Sequence, residues 1–303
     1  MQRKNIARAF LPGMALVAVG LAASFGTLAG DSLVLTHVHG LTYSQDGKNL
    51  FIPSHDGLAV FRDGRWTKAA GPQHDYMGFT GTKEYFYSSG HPAPGSGMIN
   101  PFGLLKSNDG GQTWQKLGLE GESDFHLLAA GYETNAIYVY NAGPNSRMRR
   151  SGIYRTLNDG FSWERAEASG LKGKVLSLAV HPADTAVVAV GTDAGLFLSA
   201  DQGIHFKPLA KGQQALSVFF ELDGQHLWWG SFDASPRFFR LNVHAGKQEA
   251  ILLPPLTRDA VAYIAQNPVN RGEMAVATFE RSVFISEDRG KTWKQIAQGG
   301  QTR

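Results

Sequence analysis

The sequence predicts an all-β chain closed into a six-bladed propeller. Three observations predict it: a turn pattern that recurs four times, a nearly constant interval between copies, and short apolar runs between them. The pattern is Ser/Thr-x-Asp-x-Gly-x-x-Trp. It starts at Ser107, Thr156, Ser199 and Ser286, with Asp109 and Trp114, Asn158 and Trp163, Asp201 and Phe206, and Asp288 and Trp293 at its defining positions. The starts lie 49, 43 and 87 residues apart, and 87 is nearly twice 43, so one copy has decayed. A degenerate turn at Asn242–Lys247 stands in its place, and Phe61–Trp66 supplies a shortened one upstream, which makes six units. The chemistry is that of a tight turn between strands: Asp accepts hydrogen bonds from the turn backbone, Gly takes the positive-φ position and the aromatic packs beneath. A period of about 40–50 residues with four short strands per unit is the mark of a propeller, seven blades being the alternative count.

The four turns resemble those of the Asp-box, or BNR-repeat, propellers, the architecture of sialidases and of many non-enzymatic relatives. The resemblance covers nearly the whole chain after residue 30. It implies the fold and leaves function open, because one fold hosts many functions.

Residues 1–29 hold Arg3, Lys4 and Arg8, then an apolar run from Phe10 to Ala29, with no acidic residue. This reads as a secretory signal cleaved before Gly30. The alternative is an uncleaved N-terminal anchor, since the run nears the ~20 residues that span a bilayer. Either way residues 30–303, read as one propeller domain, are expected in the periplasm or outside the cell, with membrane contact only through residues 1–29. The absence of Cys excludes a lipoprotein anchor and any disulfide. Three of the 29 basic residues belong to the leader, leaving 26 against 26 acidic ones, so no nucleic-acid footprint survives.

Each unit opens with an apolar run: His37–Leu41, Asp75–Phe79, Asp124–Leu128, Val175–Ala179, Ala215–Phe219 and Ala260–Ile264. Second positions (Val38, Tyr76, Phe125, Leu176, Leu216, Val261) are all apolar and are expected between blades, because strand side chains alternate sides. Positions one and three are small in the last three units. In the first three they read His37 and His39, Asp75 and Met77, Asp124 and His126. A repeat built only for packing has no reason for that substitution.

In an up-and-down blade the start of strand one shares a face with the turn between strands two and three, opposite the repeated turn. Those turns hold His55-Asp56, His91, Asp193, Asp233 and Glu280. Six of the ten histidines, His37, His39, His55, His74, His91 and His126, therefore fall on one face of blades one to three. The long connections His91–Pro101 and Asn141–Ser151 rise from it, and long loops on a rigid scaffold carry function.

Neutral imidazole is the commonest protein ligand for late first-row metals, and histidines from several strands can enclose an ion that no local motif could hold. The expectation is a transition-metal site at the channel mouth, with His37, His39 and His126 as inner ligands and His55, His74 and His91 as outer or alternative ones. Asp75 and Asp124 serve as ligands or as acceptors that fix imidazole tautomers. Without Cys, and with thioethers available from Met77, Met98 or Met148, copper is favoured over zinc or nickel. A metal-free polar or acid/base pocket for a small ligand is the competing use of the same residues.

His37-Val38-His39-Gly40, His74–Phe79 and Ser89-Gly90-His91-Pro92 are similar to the signature of a group of exported bacterial Asp-box propellers labelled glycosylhydrolase or sialidase-like from the fold. That label implies no substrate. A looser analogy, the nitrous-oxide reductase propeller with its channel-lining copper histidines, contributes the idea of a channel-mouth site and no residue. Sialidase chemistry would need an early Arg-Ile-Pro motif and three convergent arginines, and Arg147, Arg149 and Arg150 share one loop instead. A glycoside hydrolase using two of Asp75, Asp124, Asp193, Asp233, Asp259 and Glu280 is the second expectation. A non-catalytic propeller that binds a protein partner or assists assembly is the third.

Overall fold

The computed structural model describes residues 33–303. The signal or anchor expected over residues 1–29 lies outside them. Among the described residues there is no helix, and six antiparallel sheets follow one another along the chain, five of four strands and the last of five. The first strands are Thr42–Tyr43, Asp75–Gly81, Leu128–Ala130, Val175–Val180, Ser217–Phe220 and Val261–Gln266. Residues of all six line one central cavity of about 210 Å³. This is a six-bladed β-propeller.

Packing follows from the period-two alternation of a strand buried on both sides. In blade one Leu50 and Ile52 join the core shared with blade six, while Phe51 between them joins the core shared with blade two. Trp228 and Trp229 of blade five are fully buried and point into opposite interfaces, each contributing on the order of 3 kcal/mol. Six such cores fill the six blade interfaces, so the ring has no unpacked junction.

The four repeated turns share one set of bonds. In blade two Ser107 Oγ donates to Asp109 Oδ1 at 2.8 Å and accepts from the Gly111 amide at 2.9 Å. Asp109 then accepts from the Thr113 amide at 3.0 Å and hydroxyl at 2.6 Å. Thr156–Ser162, Ser199–His205 and Ser286–Thr292 repeat the arrangement. Two successive residues take positive φ in each, as in Gly110 (74°) and Gly111 (84°), and a Cβ on Gly111 would stand 2.5 Å from Leu58 Cδ1. The Asn242–Lys247 and Phe61–Trp66 segments do connect strands three and four of blades five and one.

Closure runs through the outer edge of blade six. Its fourth strand, Lys294–Gln298, turns into Gln301–Thr302, which pairs with the incoming chain at Val34. Leu35 donates to the Gly300 carbonyl at 2.8 Å, and Thr302 Oγ1 to the Leu33 carbonyl at 2.7 Å. Trp66 Nε1 reaches the Ile296 carbonyl at 3.0 Å, tying blade one to blade six.

The expected register of the first strands needs correction. His37–His39 and Asp124–His126 lie just before their strands, which begin at Thr42 and Leu128. Tyr76, Phe125 and Val261 are buried between blades as expected, and Val38 packs against such a core. Leu176 and Leu216 instead line the central cavity. At Leu176 the reason is a register irregularity between Val175 and Ser177, which adds a residue and re-aims the side chain. The small residues serve a different end: Ser217 Oγ donates to the Val261 carbonyl at 2.8 Å, joining blades five and six.

Candidate functional site

Asp75 opens strand one of blade two and pairs with His91, the last residue of strand two. The pairing depends on Gly90 (φ 117°), where a Cβ would stand 2.0 Å from the Asp75 carbonyl oxygen. His55, in the turn between strands two and three of blade one, places Nδ1 2.8 Å from Asp75 Oδ2. His39 enters from the lead-in of the same blade, its Nε2 3.9 Å from Asp75 Oδ1.

His37, His39 and His55 form one triad. Ring centroids are 4.2 Å apart for His37–His55, 5.2 Å for His39–His55 and 5.6 Å for His37–His39. Each can offer a nitrogen lying within 4.8 Å of the other two. Because a carboxylate only accepts, Asp75 takes the Nδ1 proton of His55, and the lone pair of the neutral ring lies on Nε2.

A second group stands on blades two and three. His126 Nε2 lies 2.6 Å and His91 Nε2 3.1 Å from Asp124 Oδ2. His91 Nδ1 lies 2.7 Å from Asn100 Oδ1, so both nitrogens of that ring are engaged. His74 is buried, packs at a tilt against Phe102 with ring centroids 5.0 Å apart, and accepts the Ala93 amide on Nδ1 at 3.0 Å. Its role is to hold the Pro92–Pro101 loop. Met77 is buried in strand one of blade two, Met148 fills the core between blades two and three, and Met98 is exposed in the loop. The structure therefore brings His55, rather than His126, beside His37 and His39, and His126 faces Asp124.

Three side-chain atoms at this rim are buried without a hydrogen-bond partner: His39 Nε2, Asp75 Oδ1 and Asp124 Oδ1. Leaving such groups unpaired costs on the order of 1–3 kcal/mol each, more when charged, and two of the three, His39 Nε2 and Asp75 Oδ1, face each other at 3.9 Å. His39 and His126 line the same central cavity. Burial pushes the His39 imidazole down to about 4, against the opposing charge of Asp75 and with help from His55, His37 and His126. The hydrogen bond to Asp124 raises His126, against its burial and aided by the charges of Asp124 and Asp75.

The signs of these shifts are opposite. Between pH 6.5 and about 4 the unfolded chain protonates at His39 while the folded one does not, so this residue's contribution is complete above 6.5 and lost as pH falls through the folded value. For His126 the contribution is complete below the unfolded value and lost as pH rises through the folded one. In chelator-treated protein, histidine NMR titration is expected to find one ring neutral down to about pH 4 and a second charged above its ordinary range. A His39 ring that titrates normally would contradict this geometry.

The remaining predicted carboxylates are tied into turns. Asp193 Oδ1 accepts the Lys174 amide, Asp259 Oδ1 accepts the Ala260 and Glu280 amides, and Asp233 pairs with Arg237. Glu280 is exposed and shares a cavity with His37 and His39. Arg147 donates to the Gly160 and Leu117 carbonyls, while Arg149 and Arg150 are exposed. Sequence reasoning missed Asn100 on His91, for which no pattern existed. It also passed over Glu221, Asp223 and His226, which stand together on blade five with their nitrogens and oxygens already paired to Trp228, Arg240, Asn242 and each other.

No protein-family model matches the chain, and no curated protein matches it. Among solved structures it is similar to a GH74 enzyme of Niastella koreensis (15% identity over 88% of this chain and 47% of that one, TM-score 0.57). It is also similar to the extracellular domain assigned to the one component system BT4673 of B. thetaiotaomicron (13%, 89% and 34%, TM-score 0.55) and to an ancestral GH74 enzyme (12%, 89% and 40%, TM-score 0.52). The chain spans about half or less of the length of each. These likenesses establish the propeller fold and nothing finer.

Proposed function

We propose that this protein is an exported propeller whose His37, His39 and His55 hold one transition-metal ion at the mouth of the central channel, copper before zinc or nickel. The observation that carries the reading is the unpartnered His39 Nε2 within a triad whose nitrogens lie within 4.8 Å of one another. Nitrogens bound to one tetrahedral ion at about 2.0–2.1 Å stand roughly 3.4 Å apart, so closure needs ring movements of only about 1 Å. Three imidazoles with no thiolate suit copper, which leads the divalent series in affinity. Asp75 orients His55, and His126 with Asp124 forms the other side of the mouth. Export is argued from the basic and apolar character of residues 1–29, and the extracellular-domain neighbour agrees with it.

The test is metal content by elemental analysis of untagged protein, before and after loading with copper, zinc or nickel. Near-stoichiometric copper supports the reading, and no retained metal under any loading overturns it.

A second reading, glycoside hydrolysis, is favoured by the two GH74 neighbours and by Glu280 beside His37 and His39. It would use Glu280 with Asp75 or Asp124 as the acid and base. Against it, each of those aspartates already binds imidazole through one oxygen.

A further inference from the structure

Below the histidine rim the central channel divides into two unlike halves. Blades six, one and two line it with hydroxyls, those of Tyr263, Thr42 and Thr80, while blades three, four and five line it with Leu127, Leu176, Leu216 and Phe219. All of these side chains are only half-buried although they stand around the centre of the ring, so the surface they keep open faces the channel.

The division follows from how neighbouring first strands meet. A bridge between Gly40 and Phe79 lays blade one beside blade two, and a Cβ on Gly81, the residue after Thr80, would stand 2.4 Å from Thr42 Oγ1. The two threonines therefore come from adjoining strands. Across the channel the register irregularity at Val175/Ser177 turns Leu176 inward. A Cβ on Gly191 would stand 2.3 Å from the Ala215 carbonyl oxygen, which holds Leu216 of blade five against blade four.

The hydroxyl half is short of protein partners. Thr42 Oγ1 makes only a long bond, 3.4 Å to the Tyr43 carbonyl. Burial alone pushes the Tyr263 phenol up to about 12, so it stays protonated and able to donate. Among the described residues no lysine, arginine, aspartate or glutamate lines the channel. An ionic ligand within it would give up its water without a counter-charge below the rim, whereas apolar surface is stabilised by leaving water. Volume sets the size: apolar cavities of about 150 Å³ take up benzene, so 210 Å³ holds one ring with a short substituent.

We infer that the central channel binds a small neutral amphipathic molecule, in class a single-ring aromatic alcohol or phenol. Its ring lies against Leu127, Leu176, Leu216 and Phe219, and its hydroxyl meets Tyr263 and the two threonines. His39, His126 and Phe279, which is 57% exposed, stand at the entrance. The site needs no metal and shares only His39 with the triad.

The probe is benzyl alcohol, with toluene and benzoate as controls of similar shape, titrated into chelator-treated protein by calorimetry and ligand-detected NMR. Wild type is expected to bind the alcohol at least about ten-fold more tightly than benzoate. Tyr263→Phe is expected to weaken the alcohol by about 3–10-fold while leaving toluene unchanged. Ala262→Leu adds side chain inside the channel and is expected to abolish binding of both. Melting temperatures confirm that the variants fold, and Tyr263→Phe decides the matter if Ala262→Leu does not.

No binding of benzyl alcohol or toluene at millimolar concentration means that the channel holds water only; this overturns the inference and leaves the copper reading standing. Benzoate bound as tightly as the alcohol places the ligand on His126 at the rim and overturns it too. So does alcohol binding that survives both substitutions unchanged, because the ligand then sits elsewhere.

Discussion

Replacing His39 by alanine is expected to lower copper affinity at least about 100-fold, the largest functional effect of any single change in this protein. His39 is the most enclosed member of the triad, its side chain 17% exposed against 40% for His55, and its Nε2 has no protein partner. Burial also keeps this ring neutral, so no proton has to leave before an ion binds. Asp75→Asn is a milder change, because an amide oxygen can still accept from His55 Nδ1. Loss of the charge is expected to cost about 10–100-fold. His91→Gln is expected to leave copper binding nearly untouched, since both nitrogens of His91 are already engaged. Competition against a chromophoric chelator measures all three. Wild-type affinity in His39→Ala would end the triad assignment, and a large loss in His91→Gln would move the ion toward Asp124.

The fold was legible because its signal is local. Ser107, Asp109, Gly111 and Thr113 bond to one another within seven residues, so the turn can be recognised without knowledge of anything distant. Repetition then supplied the blade count, even where Asn242–Lys247 had lost the pattern. Sorting the histidines by face was also legible, because alternating strand direction fixes which turns share a side.

What stayed hidden depends on atoms from elsewhere in the chain. Whether an imidazole can ligate turns on which nitrogen is free. For His91 that is decided by Asn100, and for His74 by the amide of Ala93, both set by the course of one loop. His55 looked peripheral in a turn, yet the approach of blade one to blade two brings it onto Asp75. The irregular register at Val175/Ser177 likewise turns Leu176 from the blade interface to the channel. A one-residue bulge reverses a period-two argument, and no residue in that run announces it.

Glu221→Ala is expected to be the most destabilising single change outside the rim, lowering the melting temperature by about 10 °C while leaving metal content unchanged. Glu221 is 1% exposed, and its Oε1 accepts from Trp228 Nε1 at 2.6 Å and from Arg240 Nε. Its Oε2 accepts from Arg240 at 3.2 Å. The alanine variant leaves a guanidinium of 15% exposure with only Glu249 for a partner, and a buried indole N–H with none. Breaking a buried pair from one side costs about 3–5 kcal/mol, and each kcal/mol moves the midpoint of a large domain by about 2–4 °C. The cost lies in the orphaned charge more than in the lost bond. A double variant, Glu221→Leu with Arg240→Met, is therefore expected to regain most of the stability. Thermal unfolding of wild type, both singles and the double closes the cycle. If the double falls by the sum of the singles, the pair is not coupled and blade five is held by the packing of Trp228 and Trp229 alone.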